Sequence, residues 1–138
     1  MGAWDIGHFD NDAALDFMED LEVSGQPKKL MLQVLDSVLA ADYVESDDGC
    51  ATLVVAAYID RQQNGTAYSD EGEEPLEVDT FPLRYPDLDL ADLRAKAIQA
   101  MHKVLADNSE LRELWAENEE EFPAWKEEVE DLIQRLEQ

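Results

Sequence analysis

Apolar residues recur at helical spacing over most of the chain, which predicts a series of amphipathic helices. Asp10 or Asn11 can cap the first helix, which should stop near Ser24 and Gly25, and Pro27 suits the first turn of the second. The apolar positions are Ala14, Phe17, Met18 and Leu21 in the first helix, and Leu30, Met31, Val34, Leu35, Val38 and Leu39 in the second.

The segment 50–63 differs because its first ten residues are apolar on nearly every side. Its β-branched residues permit a strand. A span of about fourteen residues, several alanines and a favourable left-handed stop at Asn64 and Gly65 favour a helix instead. We therefore expect a central, deeply buried helix, with a strand over 50–59 as the main alternative.

Segment 66–89 has no helical period and contains prolines at 75, 82 and 86. Compact domains seldom contain a featureless loop this long. It is therefore either partly disordered or laid as an extended apolar strip over the core, and we favour a mobile acidic front half with a docked second half. The apolar residues of such a strip are Leu76, Val78, Phe81, Leu83 and Tyr85.

Helical spacing returns in three further segments: one over 90–105, a short one that Asp107 and Glu110 can open as a capping box, and one after Pro123. The inward-facing residues are Leu90, Leu93, Ala97, Met101, Val104 and Leu105, then Leu111, Leu114 and Trp115, then Trp125, Val129, Leu132, Ile133 and Leu136. The pattern predicts a single all-α domain over residues 1–138. Its architecture is an irregular bundle of about five to six helices with one long acidic, Pro-containing loop (66–89).

Charge narrows the classes of function. Thirty-four acidic residues face ten basic ones, giving a net charge of −24. Such a surface repels phosphate and anionic lipid, so we expect neither nucleic-acid binding nor attachment to a membrane. Cys50 is the single cysteine, which excludes an internal disulfide and is typical of a reducing compartment. The first residues lack the basic stretch and the apolar run of a signal peptide, so we expect a cytoplasmic protein.

The acidity has two explanations that the sequence leaves open. One is solvation, as in a housekeeping or salt-adapted protein. The other is binding of a basic partner, because complementary charge raises association rates. Only the segment 93–106 is basic, and we expect its Arg94, Lys96 and Lys103 to face acidic neighbours. The candidate partner-binding residues are the loop acids Asp70, Glu71, Glu73 and Glu74 and the late acids Glu117, Glu119, Glu120 and Glu121.

One cluster could support chemistry. His8, Asp10, Asp12 and Asp16 place an imidazole among carboxylates, the minimum for a hard-metal or general-base site. The simpler interpretation is that these acids cap the first helix and favour its dipole. Gly-rich phosphate loops, metal-binding His pairs and nucleophile elbows do not occur in the sequence, and we expect His102 to be solvated.

Each end of the chain carries a motif. The opening motif comprises Met1-Gly2-Ala3-Trp4, Gly7, Phe9-Asp10-Asn11-Asp12, Ala14 and Asp16-Phe17, and the closing motif comprises residues 108–115, Trp125, Leu132 and Leu136. Together these motifs resemble those of the bacterial domain of unknown function 4259 family. Asp5 and Ile6 depart from the family's usual glycine and small hydroxyl residue. The resemblance implies a small, mostly helical bacterial protein and brings no established activity. We expect an aromatic cluster of Trp4, Phe9, Trp115 and Trp125 to join the two ends.

These patterns favour a non-enzymatic cytoplasmic interaction protein that binds a basic protein and needs no cofactor. An immunity or antitoxin-like role is its most concrete version. The alternatives are a metal-dependent enzyme that uses the cluster of His8, Asp10, Asp12 and Asp16, and a housekeeping or salt-adapted protein with a solvating surface.

Overall fold

The computed structural model describes residues 12–66 and 77–137, and within these ranges the protein is all-α, as predicted. Seven α-helices follow one another through the described ranges, and a 3₁₀ turn, Ala91–Leu93, leads into the fifth. They are α1 (Asp12–Val23), α2 (Pro27–Ala40), α3 (Ser46–Asn64), α4 (Glu77–Arg84), α5 (Arg94–Leu105), α6 (Glu110–Ala116) and α7 (Phe122–Glu137).

Helix α3 is the axis of the bundle. Every residue of 49–60 is buried, and each of the other six described helices contacts α3. The helix ends at Gly65, whose φ of 76° is the left-handed conformation that glycine adopts without strain. The prediction of a buried central helix is confirmed, and the strand alternative for 50–59 is wrong.

Gly49 lies where α3 approaches α6 most closely. A Cβ atom at this position would lie 3.1 Å from Cβ of Leu111, tighter than an ordinary van der Waals contact. Glycine therefore lets α6 pack against the first turns of α3. The helix predicted from the sequence began at residue 50, whereas α3 begins at Ser46 and so includes Gly49.

The end of α1, the start of α2 and the apolar faces of both helices match the prediction, whereas the predicted caps Asp10 and Asn11 lie outside the described residues. Pro27 occupies the first turn of α2, and its missing N–H costs nothing there because the first turn has no internal acceptor for it. The buried positions of the two apolar stripes are Ala14, Met18, Leu21, Met31, Leu35 and Val38.

Helix α4 corrects the prediction of a loop over 66–89. Residues 77–84 are helical despite Pro82, so the second half is not an extended strip. Phe81 is fully buried, with its ring edge-on to Tyr58 of α3 at 5.0 Å between centroids. Leu83, predicted to join the strip, is 81% exposed. Most of the predicted mobile front half lies outside the described residues.

The start of α6 corrects the predicted capping box. Ser109 is the N-cap, since its Oγ accepts a hydrogen bond from the backbone N–H of Arg112 at 3.3 Å. Glu110 instead accepts from the backbone N–H of Ser46 at 2.8 Å, and so caps α3. Leu114 is exposed, which contradicts its predicted inward position.

The last helix buries its predicted apolar face. Trp125 of α7 stacks on Trp115 of α6 with 5.9 Å between ring centroids, and both indoles are buried, as predicted. Trp4 and Phe9, the other members of the predicted aromatic cluster, lie outside the described residues. None of the helices over 12–66 and 77–137 combines the length and the apolar character needed to cross a membrane.

Candidate functional site

An acidic groove lies where α1 and α2 meet the start of α3, around a cavity of about 450 Å³. Four exposed carboxylates form its rim, and they belong to Asp16, Asp20, Asp47 and Asp48. Four buried or half-buried apolar side chains form its floor, and they belong to Ala13, Phe17, Val34 and Ala51. The groove therefore offers both an apolar surface and concentrated negative charge.

Helical geometry brings these acids together. Asp16 and Asp20 are four residues apart, so they lie on the same face of α1, one turn from each other. Asp47 and Asp48 occupy the first turn of α3, where free backbone N–H groups favour negative charge. Packing of α1 against α3 then places the two pairs beside one cavity.

The carboxylates of the acidic groove are uncompensated within the described part of the chain. No ion pair or side-chain hydrogen bond from a residue in 12–66 or 77–137 reaches them. Like charges at i and i+4 destabilise a helix by about 0.2–0.5 kcal/mol. Asp47 and Asp48 contribute to α3 through its dipole, whereas Asp16 and Asp20 have no such stabilising role in the fold.

The late acids lie in the turn between α6 and α7. Glu117, Glu119 and Glu120 are exposed, whereas Glu121 is half-buried. The side-chain oxygen of Asn118 accepts hydrogen bonds from the backbone N–H groups of Glu120 and Glu121, at 3.2 and 3.3 Å. This turn shapes the entry into α7, and three of the four predicted late acids remain open to a partner.

The loop acids Asp70, Glu71, Glu73 and Glu74 lie outside the described residues, so their part in binding stays a prediction.

The basic residues Arg94, Lys96 and Lys103 of α5 bond to groups of neighbouring helices. Lys96 pairs with Asp36 of α2 at 2.7 Å, which agrees with the predicted acidic neighbours. Arg94 and Lys103 bind carbonyl oxygens instead: Arg94 reaches Leu136 near the end of α7, and Lys103 reaches Leu39 near the end of α2 at 3.1 Å. Cations favour helix carboxyl ends because the dipole is negative there.

A buried ion pair uses another cation at the far end of α3. Asp60 is fully buried, and its Oδ2 accepts a hydrogen bond from Nε of Arg135 on α7 at 2.8 Å. The amide of Asn64 donates to Oδ1 of the same carboxylate, also at 2.8 Å. Both carboxylate oxygens are therefore satisfied, as a buried charge requires.

The pKa of the Tyr43 hydroxyl is strongly raised in the folded protein. Its hydroxyl donates a hydrogen bond of 2.7 Å to Glu113, and this bond, more than any other cause, raises the pKa of Tyr43 to about 12. The charges of Glu113, Glu110 and Glu45 act in the same direction. A phenol, not a cation, is thus the partner of Glu113.

The predicted metal cluster is only partly described. His8 and Asp10 lie outside the described residues, Asp12 begins α1, and Asp16 is exposed at the acidic groove. Among the described residues no three metal-binding side chains converge. His102 is exposed on α5, as predicted, and Cys50 is buried in α3.

Sequence reasoning missed three of the groove acids as binding candidates. Asp16 and Asp20 have a visible signal, a like-charged pair at i and i+4. Asp47 and Asp48 look like the acids that commonly occupy the first turn of a helix. The sequence around them does not indicate that α1 packs beside them. The acidic groove exists only through the tertiary contact of α1 with α3.

Comparison with known proteins adds the family and no activity. No curated protein and no solved structure matches the chain. A family model described as a domain of unknown function (DUF4259) matches residues 2–128, which is nearly the whole length. The chain therefore belongs to the DUF4259 family.

Proposed function

We propose that this protein is a non-enzymatic interaction module of the cytosol that binds a basic protein, in the manner of an immunity protein or antitoxin. Its action would be to cover a cationic surface of the partner. The buried single thiol of Cys50 fits a reducing compartment.

The observation that carries the proposal is the internal use of the protein's few cations. All ten basic residues lie in the described ranges, and eight of them bond to carboxylates or carbonyl oxygens of the fold. These eight are Lys28, Arg61, Arg84, Arg94, Lys96, Lys103, Arg112 and Arg135. The acids outnumber the bases by more than three to one, so most exposed carboxylates are left without an internal counter-charge.

An uncompensated anionic surface supports binding to a cationic protein. Complementary potentials speed the encounter and suppress association with anionic partners such as nucleic acid. Among the residues of 12–66 and 77–137, the acidic groove and the late acids Glu117, Glu119 and Glu120 are exposed regions that supply such charge.

The test is a pull-down from the native host with the full-length protein, at low and at moderate salt, followed by titration calorimetry with each recovered protein. We expect a stoichiometric partner with a basic isoelectric point, whose affinity for this protein falls as salt rises. Recovery of no stoichiometric basic protein at low salt, where the attraction is strongest, contradicts the proposal.

A further inference from the structure

The acidic groove suggests what the partner presents to this protein. We infer that it receives an amphipathic segment of the basic partner, in which lysine or arginine side chains flank one bulky apolar side chain. This inference rests on the proposed function and adds the site and the chemistry of the bound segment.

The floor of the groove calls for an apolar group. Phe17, Val34 and Ala51 line the cavity, and a hydrated cation gains nothing from contact with them. The groove is an open depression of about 450 Å³, so a side chain seated in it stays in contact with water on one side. The groove can hold one large apolar side chain together with the methylene stems of its cationic neighbours, which lie along apolar surface while their charged heads reach outward.

The rim calls for cations on either side of that apolar group. Asp16 and Asp20 border the cavity on α1, and Asp47 and Asp48 border it on α3. The dipole of α3 adds a positive partial charge of roughly half a unit at this end, which the four carboxylates exceed. Because no residue of 12–66 or 77–137 pairs with these carboxylates, a bound segment would not have to displace an ion pair formed by those residues.

Other occupants fit the groove less well. A second copy of this chain carries a net charge of −24 and would be repelled. A bare metal ion needs converging ligands, and the described residues provide no such set of three. A polyamine satisfies the rim but leaves the apolar floor uncovered.

The test is a methyl NMR titration of the full-length protein with three probes. The first is a synthetic helical peptide of lysine and leucine at amphipathic spacing, the second is oligolysine of equal charge, and the third is spermidine. We expect the lysine–leucine peptide to shift the methyl signals of Val34 and Ala51, and the other two probes to leave them nearly unchanged. Equal shifts with oligolysine or spermidine overturn the inference, as do shifts that spread evenly over the acidic surface.

Two charge-matched variants locate the interaction. Asp16→Asn with Asp20→Asn removes an i, i+4 pair from the groove, and Glu127→Gln with Asp131→Asn removes an i, i+4 pair from the exposed face of α7. We expect the first variant to weaken peptide binding about three- to tenfold through two lost ion pairs, and the second to change it less than about twofold. Equal losses in both variants overturn the inference. Neither pair bonds to another described residue, so both variants keep the packing intact.

The host partner separates this inference from the proposed function. If a basic partner binds the Asp16→Asn, Asp20→Asn variant as tightly as the unmodified protein, the groove is not its site, although the proposed function stands. If no basic partner exists, the proposed function fails whatever the peptide does, and the inference fails with it. A partner whose binding is weakened only by the groove variant supports both.

Discussion

Some carboxylates in the described part of the chain bond to uncharged donors instead of cations. Glu113 has a phenol as its hydrogen-bond donor, and Glu110 has a backbone N–H. Such donors satisfy a carboxylate without neutralising it. Glu110 and Glu113 are therefore hydrogen-bonded and still keep their negative charge.

The Tyr43–Glu113 hydrogen bond predicts a pH dependence at the alkaline end. The folded state raises the pKa of Tyr43 from 10.0 to about 12, so it holds the phenol proton more tightly than the unfolded chain does. The stability from this bond is fully present below pH 10.0 and is lost as pH rises towards 12.

Replacement of Tyr43 by phenylalanine should remove that part of the alkaline destabilisation. The measurement is the urea midpoint as a function of pH above neutrality, compared between Tyr43→Phe and the unmodified protein. The difference between the two should shrink as pH rises through the interval. A constant difference would show that the bond does not control the titration of Tyr43.

The individual helices differ in what holds them in place. Helix α7 has a complete apolar face, so its pattern and its packing agree. Helix α4 is short and contains Pro82, which removes a backbone donor from its interior. Its side-chain contacts compensate: Phe81 packs between Tyr58 and Tyr85, and Arg84 pairs with Glu22 of α1.

The dependence of α4 on Phe81 can be measured directly. Phe81→Ala removes a fully buried ring, and we expect it to lower the free energy of unfolding by about 3–5 kcal/mol. The matched control is Leu83→Ala, two residues away and 81% exposed, for which a change within about 0.5 kcal/mol is expected. Urea unfolding of both variants gives the comparison. Similar small changes in the two would mean that α4 contributes little to global stability.

The link between α3 and α7 gives a second prediction about helix packing. Arg135→Met leaves the buried carboxylate of Asp60 without its cation, and we expect a loss of roughly 2–4 kcal/mol. This is below the largest values for buried pairs because the Arg135 side chain is 32% exposed and Asn64 still donates to the carboxylate.

Arg112→Met is the control for this loss, because Arg112 pairs with an almost fully exposed Asp107 at 3.6 Å, and methionine can keep part of the contact that Arg112 makes over the ring of Phe122 at 5.5 Å. It should cost at most about 1 kcal/mol. Calorimetric unfolding at neutral pH distinguishes the two variants. Equal losses would contradict a special role for the Asp60–Arg135 pair.

The sequence predicted helices and their buried faces correctly where apolar residues at helical spacing are the ones that the fold buries. The start of α2 and the end of α3 followed from Pro27 and Gly65, and the buried face of α7 followed from its spacing. Helix α4 was missed because tertiary packing of Phe81 overrides the local effect of Pro82. Glu110 was assigned to its own helix because a contact with Ser46, far away in the chain, leaves no local signal. The acidic groove was missed for the same reason.

The described part of the molecule combines a well-packed apolar axis with a predominantly acidic surface. Helix α3 gathers the other described helices around twelve consecutive buried residues, Gly49–Asp60. This core tolerates the repulsion among the surface carboxylates. A solvating surface and a partner-binding surface both predict this arrangement, but they differ in where the repulsion is concentrated.

Salt should therefore stabilise this protein, and the location of the repelling charges decides between the two interpretations. Raising potassium chloride from about 0.01 M to about 0.15 M shortens the Debye length from roughly 30 Å to 8 Å, which screens repulsion between neighbouring helices. The same salt weakens the exposed ion pairs, but these contribute only about 0–1 kcal/mol each. With a net charge of −24, relief of repulsion is the larger effect, and the melting temperature should rise.

The two charge-matched variants make this measurement specific. If the acidic groove concentrates charge for a partner, Asp16→Asn with Asp20→Asn should raise the low-salt melting temperature and flatten its salt dependence more than Glu127→Gln with Asp131→Asn does. If the acidity serves solvation alone, both variants should flatten the curve equally, because each removes the same charge from a helix surface. A melting temperature that does not respond to salt in the unmodified protein would contradict both, since it would mean that repulsion among the carboxylates is already negligible.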